Sequence, residues 1–369
     1  MIAGLLSNLT LSAQSKDSVF HFIFTSDVHF GLTKEDFRGK EDVPSIEVNK
    51  AMIQVMNNMI GKQIPDDNGV GANKKIKGIE SLVITGDIAN RMEKGIQSAA
   101  DSWKQFQTIY IDSNHLLNNK GKAAGLWVVP GNHDMSNANG FHRPLYPLKD
   151  ASSMLGIYNL MFPEKKLTHY DSVTTRIHYS KDVYGVHFIF LSLYPDSAER
   201  VWMEKDLASV KSTTPVFLFA HSILDVEARF FENPNGDHSI NEEDKFENLV
   251  PERYKDGKLV KGPTDIEQLG FVSFVQQHPN IKVYFHGHEN YTEHYTYKGP
   301  KENIQLTSVR TDSPMKGKYS AKDEKKLAFE LVSIDTKNKT MSVREILWNK
   351  STSTILPFTW GQMMNISIQ

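Results

Sequence analysis

The chain has 369 residues, of which 39% are hydrophobic and 23% charged, a balance typical of globular proteins that bury a sizeable core. Lys and Arg total 42 and Asp and Glu total 44, so the net charge of −2 gives no general attraction to nucleic acid or to an anionic membrane. There is no cysteine, which excludes disulfides, thiolate nucleophiles and cysteine-based zinc sites and leaves His, Asp, Glu and Asn as metal ligands.

The first residues, 1–13, form a short apolar stretch that ends at Ala13, just before polar residues. This arrangement resembles the apolar region and cleavage site of an export signal, although no Lys or Arg precedes the apolar run. We therefore expect a protein exported to the periplasm or the extracellular space. A frayed end or a first core strand of a cytoplasmic protein is the alternative. No apolar run reaches the roughly 18 residues that span a bilayer, so no membrane-spanning helix is expected.

Five short runs of apolar, β-branched or aromatic residues each end in polar or metal-binding residues. In chain order, the runs are Phe20–Thr25, Ser81–Thr85, Leu126–Pro130, Pro215–Ala220 and Ile281–Phe285. Their length and composition predict strands. Their continuous apolar character, without alternation, is typical of strands that are buried on both faces.

Three segments between these runs carry apolar residues at roughly helical spacing, namely Ser45–Gly61, Ala198–Val210 and Ile266–Gln277. The alternation of strand and helix predicts an α/β layered fold with a mostly parallel sheet. In such sheets, ligands bind beyond the carboxyl ends of the strands. We therefore expect the five polar clusters to converge on one site.

The C-terminal part, Asn303 to Ile368, has the pattern of strands. Leu327–Asp335 and Met341–Trp348 flank a short polar turn and predict a hairpin. Two other segments, Asn137–Ser152 and Phe231–Asp265, are rich in turn residues and predict loops that either shape a substrate pocket or are plain surface excursions.

The predicted domain organisation has three parts. Residues 1–13 are the expected export signal, and residues 18–350 form one domain with an inserted loop at 231–265. Residues 351–369 are expected to be a C-terminal tail.

The first two clusters offer carboxylate and imidazole ligands. Asp27 and His29 stand two residues apart at a strand end, where the pleat can point both side chains the same way. Asp87 follows an apolar run and Gly86, and a carboxylate there can bridge two metal ions. Taken alone, Asp87 would more often be the N-cap of a helix than a metal ligand.

The later clusters add an amide and more imidazoles. Gly131–Asp134, with the sequence Gly-Asn-His-Asp, suits a turn after a strand, but a turn has no need of His133. His286 and His288 flank a glycine and form a plausible metal clamp in a chain without cysteine. His221, taken alone, would be an ordinary polar residue.

Most of the fourteen histidines receive no role from their type alone, because only five fall in these clusters. The exception is His142, which with its neighbour Arg143 closely follows the His133 cluster. We expect this pair to contact the substrate phosphate.

The order Asp-x-His, Gly-Asp, Gly-Asn-His-Asp, His and Gly-His, from Asp27 to His288, resembles the calcineurin-like metallophosphoesterase superfamily. The resemblance implies a four-layer α/β sandwich of two mixed β-sheets flanked by helices, with C-terminal strands completing a sheet. It also implies a dinuclear metal centre at the strand ends, holding two divalent ions such as manganese, zinc or iron.

Carried over by resemblance, the residue roles form two metal-ligand sets and an acid group. The first ion would take Asp27, His29, Asp87 and His288, and the second would take Asp87, Asn132, His221 and His286. His133 would donate a proton to the leaving group, and Asp134 would orient it.

The functional hypothesis is two-metal hydrolysis of a small phosphomonoester or phosphodiester by hydroxide formed at the metal pair, with His133 as general acid. A nuclease of the same superfamily is an alternative that the lack of a basic surplus disfavours. A non-catalytic metal-binding scaffold is another, but it should have lost ligands or the proton donor. The expected partner is a small phosphoester, without nucleic acid, and the oligomeric state is left open.

Overall fold

A computed structural model describes residues 18–89, 97–135, 150–171, 175–225, 254–255, 258–259, 265–350 and 357–369. Two six-stranded sheets dominate this part of the chain. The strands, numbered along the sequence, are β1 Val19–Thr25, β2 Thr33–Phe37, β3 Lys40–Pro44, β4 Ser81–Thr85, β5 Gly125–Val129, β6 Tyr179–Val183, β7 Val186–Phe190, β8 Val216–Phe219, β9 Tyr254–Lys255, β10 Lys258–Leu259, β11 Ile281–His286, β12 Glu293–Tyr297, β13 Leu306–Arg310, β14 Ala328–Asp335, β15 Thr340–Leu347 and β16 Thr359–Ser367.

Helices flank the sheets. They are α1 Ser45–Asn57, α2 Ala99–Phe106, α3 Asn132–Met135, α4 Ser152–Met161, α5 Ser197–Leu207 and α6 Ile266–Gln277. A π-helical turn, Gln107–Asp112, continues α2, and short 3-10 turns lie at Pro163–Lys165 and Glu324–Lys326. Among the described residues, no helix has the length and apolar character needed to cross a bilayer.

Both large sheets are mixed. The first has the order β16-β15-β14-β1-β4-β5, with β1, β4 and β5 parallel and the C-terminal strands antiparallel. The second has the order β12-β13-β11-β8-β7-β6, with a parallel centre and antiparallel edge strands. The predicted α/β sandwich of two mixed sheets, completed by C-terminal strands, is confirmed.

The core between the sheets is aromatic. Phe22 of β1 makes edge-to-face contacts with Phe219 of β8 and Phe285 of β11, at centroid distances of 5.9 and 5.7 Å. Phe219 and Phe285 stack at 4.7 Å. All three rings are fully buried, and such pairs add about 0.5–1.5 kcal/mol each beyond the burial of their area. This packing fixes the two sheets face to face, so their strand ends meet at one edge.

The predicted strands and helices are present with small shifts at their ends. The hairpin predicted from Leu327 to Trp348 is β14 and β15. The stretch expected to be a C-terminal tail contains β16, which pairs with β15 as the edge strand of the first sheet, so its residues 359–367 belong to the sheet.

Several predictions fall on other parts of the chain. The expected export signal 1–13, His142 and Arg143 lie outside the described residues, as do most of the loops 137–152 and 231–265. Export and these substrate contacts therefore stay predictions.

Candidate metal centre

The turn after β1 carries the first two predicted ligands in a left-handed backbone conformation. Asp27 has a φ of 54° and His29 a φ of 42°. Their amides donate to the carbonyl oxygens of Gly86 and Asp87 at 3.0 and 2.9 Å, which ties this turn to the turn after β4. Asn49 of α1 donates to the Val28 carbonyl at 2.9 Å and holds the turn from the other side. Asp27 and His29 are thereby fixed and fully buried.

Asp87 stands at the centre of the cluster. Its Oδ2 lies 3.6 Å from His29 Nε2, 3.4 Å from His221 Nε2 and 4.0 Å from His133 Nε2. Two ligands of one tetrahedral ion with bonds of about 2.0–2.2 Å lie roughly 3.3–3.6 Å apart, whereas a charge-assisted hydrogen bond spans about 2.7–2.9 Å. His278 and Glu204 on the surface show the hydrogen-bonded spacing, at 2.9 Å. The distances from Asp87 Oδ2 to His29 and His221 fall in the range for ligands that share an ion, and the distance to His133 lies beyond it.

Buried atoms without partners mark the same place. Asp27 Oδ1 and both ring nitrogens of His29 have no hydrogen-bond partner among the described residues. Leaving such groups unsatisfied in the interior costs several kcal/mol, of order 2–7 for each neutral group. A divalent cation would satisfy the carboxylate and one imidazole nitrogen together. The groups Asp27–Asp87–His221 and His29–Asp87–His133 have ligand atoms close enough to hold metal ions.

A second group of ligands stands on the other side of Asp87. Asn132 Oδ1 lies 2.9 Å from His221 Nε2 and 3.1 Å from His288 Nδ1. His221 Nδ1 is 2.7 Å from the Thr85 carbonyl oxygen and so donates to it, which leaves Nε2 as the nitrogen that faces the cluster. The sequence-predicted residues Asn132, His221 and His288 are therefore brought together.

Two glycines of the motifs are required by close approach. A Cβ on Gly131 would lie 2.1 Å from Asp87 Oδ1. A Cβ on Gly287 would lie 2.1 Å from Asp27 Oδ2 and 1.9 Å from Ser26 Oγ. The absence of side chains at these two positions lets the loops after β5 and β11 close onto the carboxylates.

The structure corrects the predicted place of His286. Its Nε2 lies 2.9 Å from the hydroxyl of Tyr295 and its Nδ1 lies 3.0 Å from the Gly287 carbonyl oxygen, so both nitrogens are engaged away from Asn132 and His221. His286 is the last residue of β11, whereas His288 lies in the turn beyond, with a φ of 72°. The imidazole that joins the second ligand group is that of His288.

His133 lies at the open side of the cluster. Its backbone amide donates to Asp87 Oδ1 at 2.9 Å, and its side chain is 12% exposed, against 0% for His29 and His221. This partial access is what a residue that meets a substrate needs. Its Nε2 also lies 3.2 Å from Lys316 Nζ, a contact that the sequence analysis did not foresee.

Asp134 acts on the backbone around the site. Its carboxylate accepts hydrogen bonds from the amides of Gly131, Ile88 and Ala89 at 2.9 to 3.1 Å. Burial, reinforced by the charge of Asp87, raises its pKa to about 6. These contacts fasten the turn after β5 to the turn after β4. His133 belongs to the turn after β5, so Asp134 would orient it by holding the backbone of that turn.

The cluster has an uneven charge distribution. Burial raises the pKa of Asp87, but the neighbouring His221 and His133 outweigh it, so this pKa lies well below its usual value. Burial lowers the pKa of His221, and the carboxylates of Asp87 and Asp27 more than reverse this, raising it to about 9. Burial and the charge of His221 lower the pKa of His288 to about 4. An ion bound by neutral imidazoles would therefore displace a proton from His221.

Three residues that the motifs did not reveal border the site. Tyr295 engages His286, and Lys316 reaches His133. Asn290, two residues after His288, has a buried Oδ1 without a hydrogen-bond partner among the described residues. Asn290 lies close to the Gly-His pattern in the sequence, whereas the other two are near the site only through tertiary contacts.

Comparisons with known proteins bear on the family and the fold. A family model described as calcineurin-like phosphoesterase matches residues 20–291. Among solved structures, the chain is similar to PhoD, with a TM-score of 0.51 and 9% identity over 96% of this chain and 70% of that one. It also matches the calcineurin-like phosphoesterase YfkN from Bacillus subtilis (TM-score 0.33, 12% identity, 95% and 91% covered) and Vps29 from Chaetomium thermophilum (0.34, 7%, 94% and 98%). At these identities the likeness concerns the fold. No curated protein matches the sequence.

Proposed function

Because the chain belongs to the calcineurin-like phosphoesterase family, with the family match covering residues 20–291, we propose that it hydrolyses small phosphoesters with the help of two divalent metal ions. The observation that carries the proposal is the position of Asp87. Its Oδ2 lies within 3.6 Å of His29 Nε2 and 3.4 Å of His221 Nε2, so this carboxylate could be shared by two ions.

The ligand groups divide around that bridge. Asp27, His29 and Asp87 would hold one ion. The second ion would be held by Asp87, Asn132, His221 and His288. Nitrogen and oxygen ligands without sulfur suit manganese, zinc or iron. When bound, such ions polarise the phosphoryl oxygens and lower the pKa of water.

His133 is proposed as the proton donor. Hydrolysis adds a water oxygen to phosphorus, breaks the ester P–O bond and leaves an alkoxide that must gain a proton. His133 stands at the accessible side, with its backbone held by Asp87, so its imidazolium can meet the departing oxygen. Such a donor contributes typically about 10²–10⁴-fold to the rate.

The test is metal content measured together with turnover. Purified protein, stripped with chelator and reloaded with manganese, zinc or iron, should bind two ions per chain and hydrolyse p-nitrophenyl phosphate or its bis ester. His221→Ala should lose an ion and the activity, while the surface control His278→Ala should keep both. Absence of turnover on a broad panel of mono- and diesters by protein that holds two ions would overturn the proposal.

A further inference from the structure

A lysine far along the chain reaches into the candidate site. Lys316 belongs to the segment between β13 and β14, and its Nζ lies 3.2 Å from Nε2 of His133. The side chain is half-buried. An ammonium group therefore stands at the accessible side of the cluster, next to the proposed proton donor.

The backbone of this segment is anchored on the metal-ligand turn. Ser313 Oγ donates to the carbonyl oxygen of Asp27 at 2.7 Å and accepts from the amides of Met315 and Lys316 at 3.2 and 2.9 Å. Further on, the Lys318 amide donates to the carbonyl oxygen of Asn290. These bonds join the segment to the turns after β1 and β11, so the position of Lys316 is set by the site itself.

Two nitrogen donors converge at this point. The Lys316 ammonium stands 3.2 Å from the imidazole of His133, the proposed proton donor. A phosphoryl group with two charged oxygens could face both donors, and lysine is a usual phosphate-binding residue that acts as a point charge.

We propose that Lys316 binds a charged, non-bridging oxygen of the substrate and makes this a site for phosphomonoester dianions in preference to diester monoanions. The inference rests on the proposed function and adds the substrate class. In a monoester the phosphoryl group has one more anionic oxygen than in a diester, where an alkyl or aryl group occupies that place. Two divalent ions would bring four positive charges, of which Asp27 and Asp87 offset two, and Lys316 adds one more for the dianion.

The kinetic test compares both ester classes in variants of this segment. Lys316→Met should lower kcat/KM for p-nitrophenyl phosphate by about 10- to 100-fold, the range for a lost charged hydrogen bond. The bis ester should change by less than about 3-fold, so the ratio between the two substrates shifts. Lys316→Arg, which keeps the charge, should keep most of the preference. Lys322→Met, an exposed lysine six residues further on, is the matched control and should change neither rate.

Calorimetric binding gives a readout that does not need turnover. Inorganic phosphate, titrated at pH 8 into protein with both ions bound, should bind about 10-fold or more weaker to Lys316→Met than to wild type, and dimethyl phosphate should bind equally to both. Wild type and Lys316→Met must hold the same number of ions per chain, so that the difference in phosphate affinity reports on Lys316 alone. If wild type hydrolyses neither ester, the proposed function fails, while the phosphate titration still decides the role of Lys316. Equal losses for both ester classes, or unchanged phosphate affinity, would overturn the inference. So would a charge-keeping Lys316→Arg that has lost the monoester preference.

Discussion

Replacing Asp312 with asparagine should stabilise the folded protein at neutral and mildly alkaline pH. Asp312 lies just before the anchor residue Ser313, is 3% exposed, and its Oδ2 has no hydrogen-bond partner among the described residues. Burial raises the pKa of this carboxyl from 3.8 to about 8, although hydrogen bonds from Ser320 and Ser313 and the charge of Lys34 oppose the rise.

The sign and size follow from proton linkage. Below pH 3.8 the carboxyl is protonated in both the folded and the unfolded chain, so it costs nothing. Between 3.8 and about 8 the unfolded chain releases the proton while the folded chain keeps it, and folding stability falls as pH rises. At 1.36 kcal/mol per pH unit, the whole window corresponds to roughly 5–6 kcal/mol. Asparagine keeps the shape and cannot ionise, so it removes this loss.

The assay is urea unfolding followed by tryptophan fluorescence at pH 5, 6, 7 and 8, with chelator present so that metal binding does not contribute. The free energy of unfolding of Asp312→Asn, minus that of wild type, should grow by about 1 kcal/mol for each pH unit. Asp335→Asn is the control of opposite sign. Burial raises the pKa of the Asp335 carboxyl, but hydrogen bonds from Asn338 outweigh this effect and the pKa is lowered. Removing the Asp335 carboxylate should therefore destabilise the folded protein at neutral pH. If the difference for Asp312→Asn is equal at pH 5 and pH 8, the assigned burial effect is refuted.

Three further experiments test the site. Gly287→Ala puts a methyl group 2.1 Å from the carboxylate of Asp27 and should lower the number of ions bound per chain. The control Gly121→Ala, whose added Cβ would have nothing within 4 Å, should keep both ions. The ion content of the two purified variants is the measurement that checks this. His288→Ala should lose one ion and His286→Ala should keep both, and the reverse pattern would restore His286 as the ligand. His133→Ala should keep both ions and lose about 10²–10⁴-fold in kcat on an ester with a poor leaving group, and full turnover there would exclude it as the acid.

The parts of the fold that the sequence predicted are those whose signal is local. The run Phe20–Thr25 is largely apolar because β1 is buried and is an inner strand, paired with β14 on one side and β4 on the other. Polar residues directly after such a run stand out from the apolar pattern. Asp27 and His29 could therefore be predicted as ligands. The sequence did not predict the hairpin β6–β7 or the strand β16. Neither is followed by a polar cluster, and no turn signal marks them.

The errors and omissions at the site depend on contacts between distant residues. His286 and His288 flank one glycine, and the sequence cannot tell which ring faces the crevice, because that depends on where β11 ends and on Tyr295 of β12. Lys316 stands in no motif, and its place depends on a hydrogen bond from Ser313 to Asp27, 286 residues earlier. Packing supplies this information, and local residue patterns do not contain it.

Backbone strain at the strand ends explains how the ligands stay in place. Asp27, His29, Asp87 and His288 all have a left-handed φ, between 42° and 72°, and such residues cost of order 1–3 kcal/mol each. The turns after β1 and β4 hold each other in this conformation through two backbone hydrogen bonds. The amide of Asp27 donates to the carbonyl oxygen of Gly86, and the amide of His29 donates to that of Asp87. Relaxing one turn would break the bonds that hold the other. The ligands are thus ordered before any ion arrives, so ion binding loses little conformational entropy and its free energy is available to offset the strain.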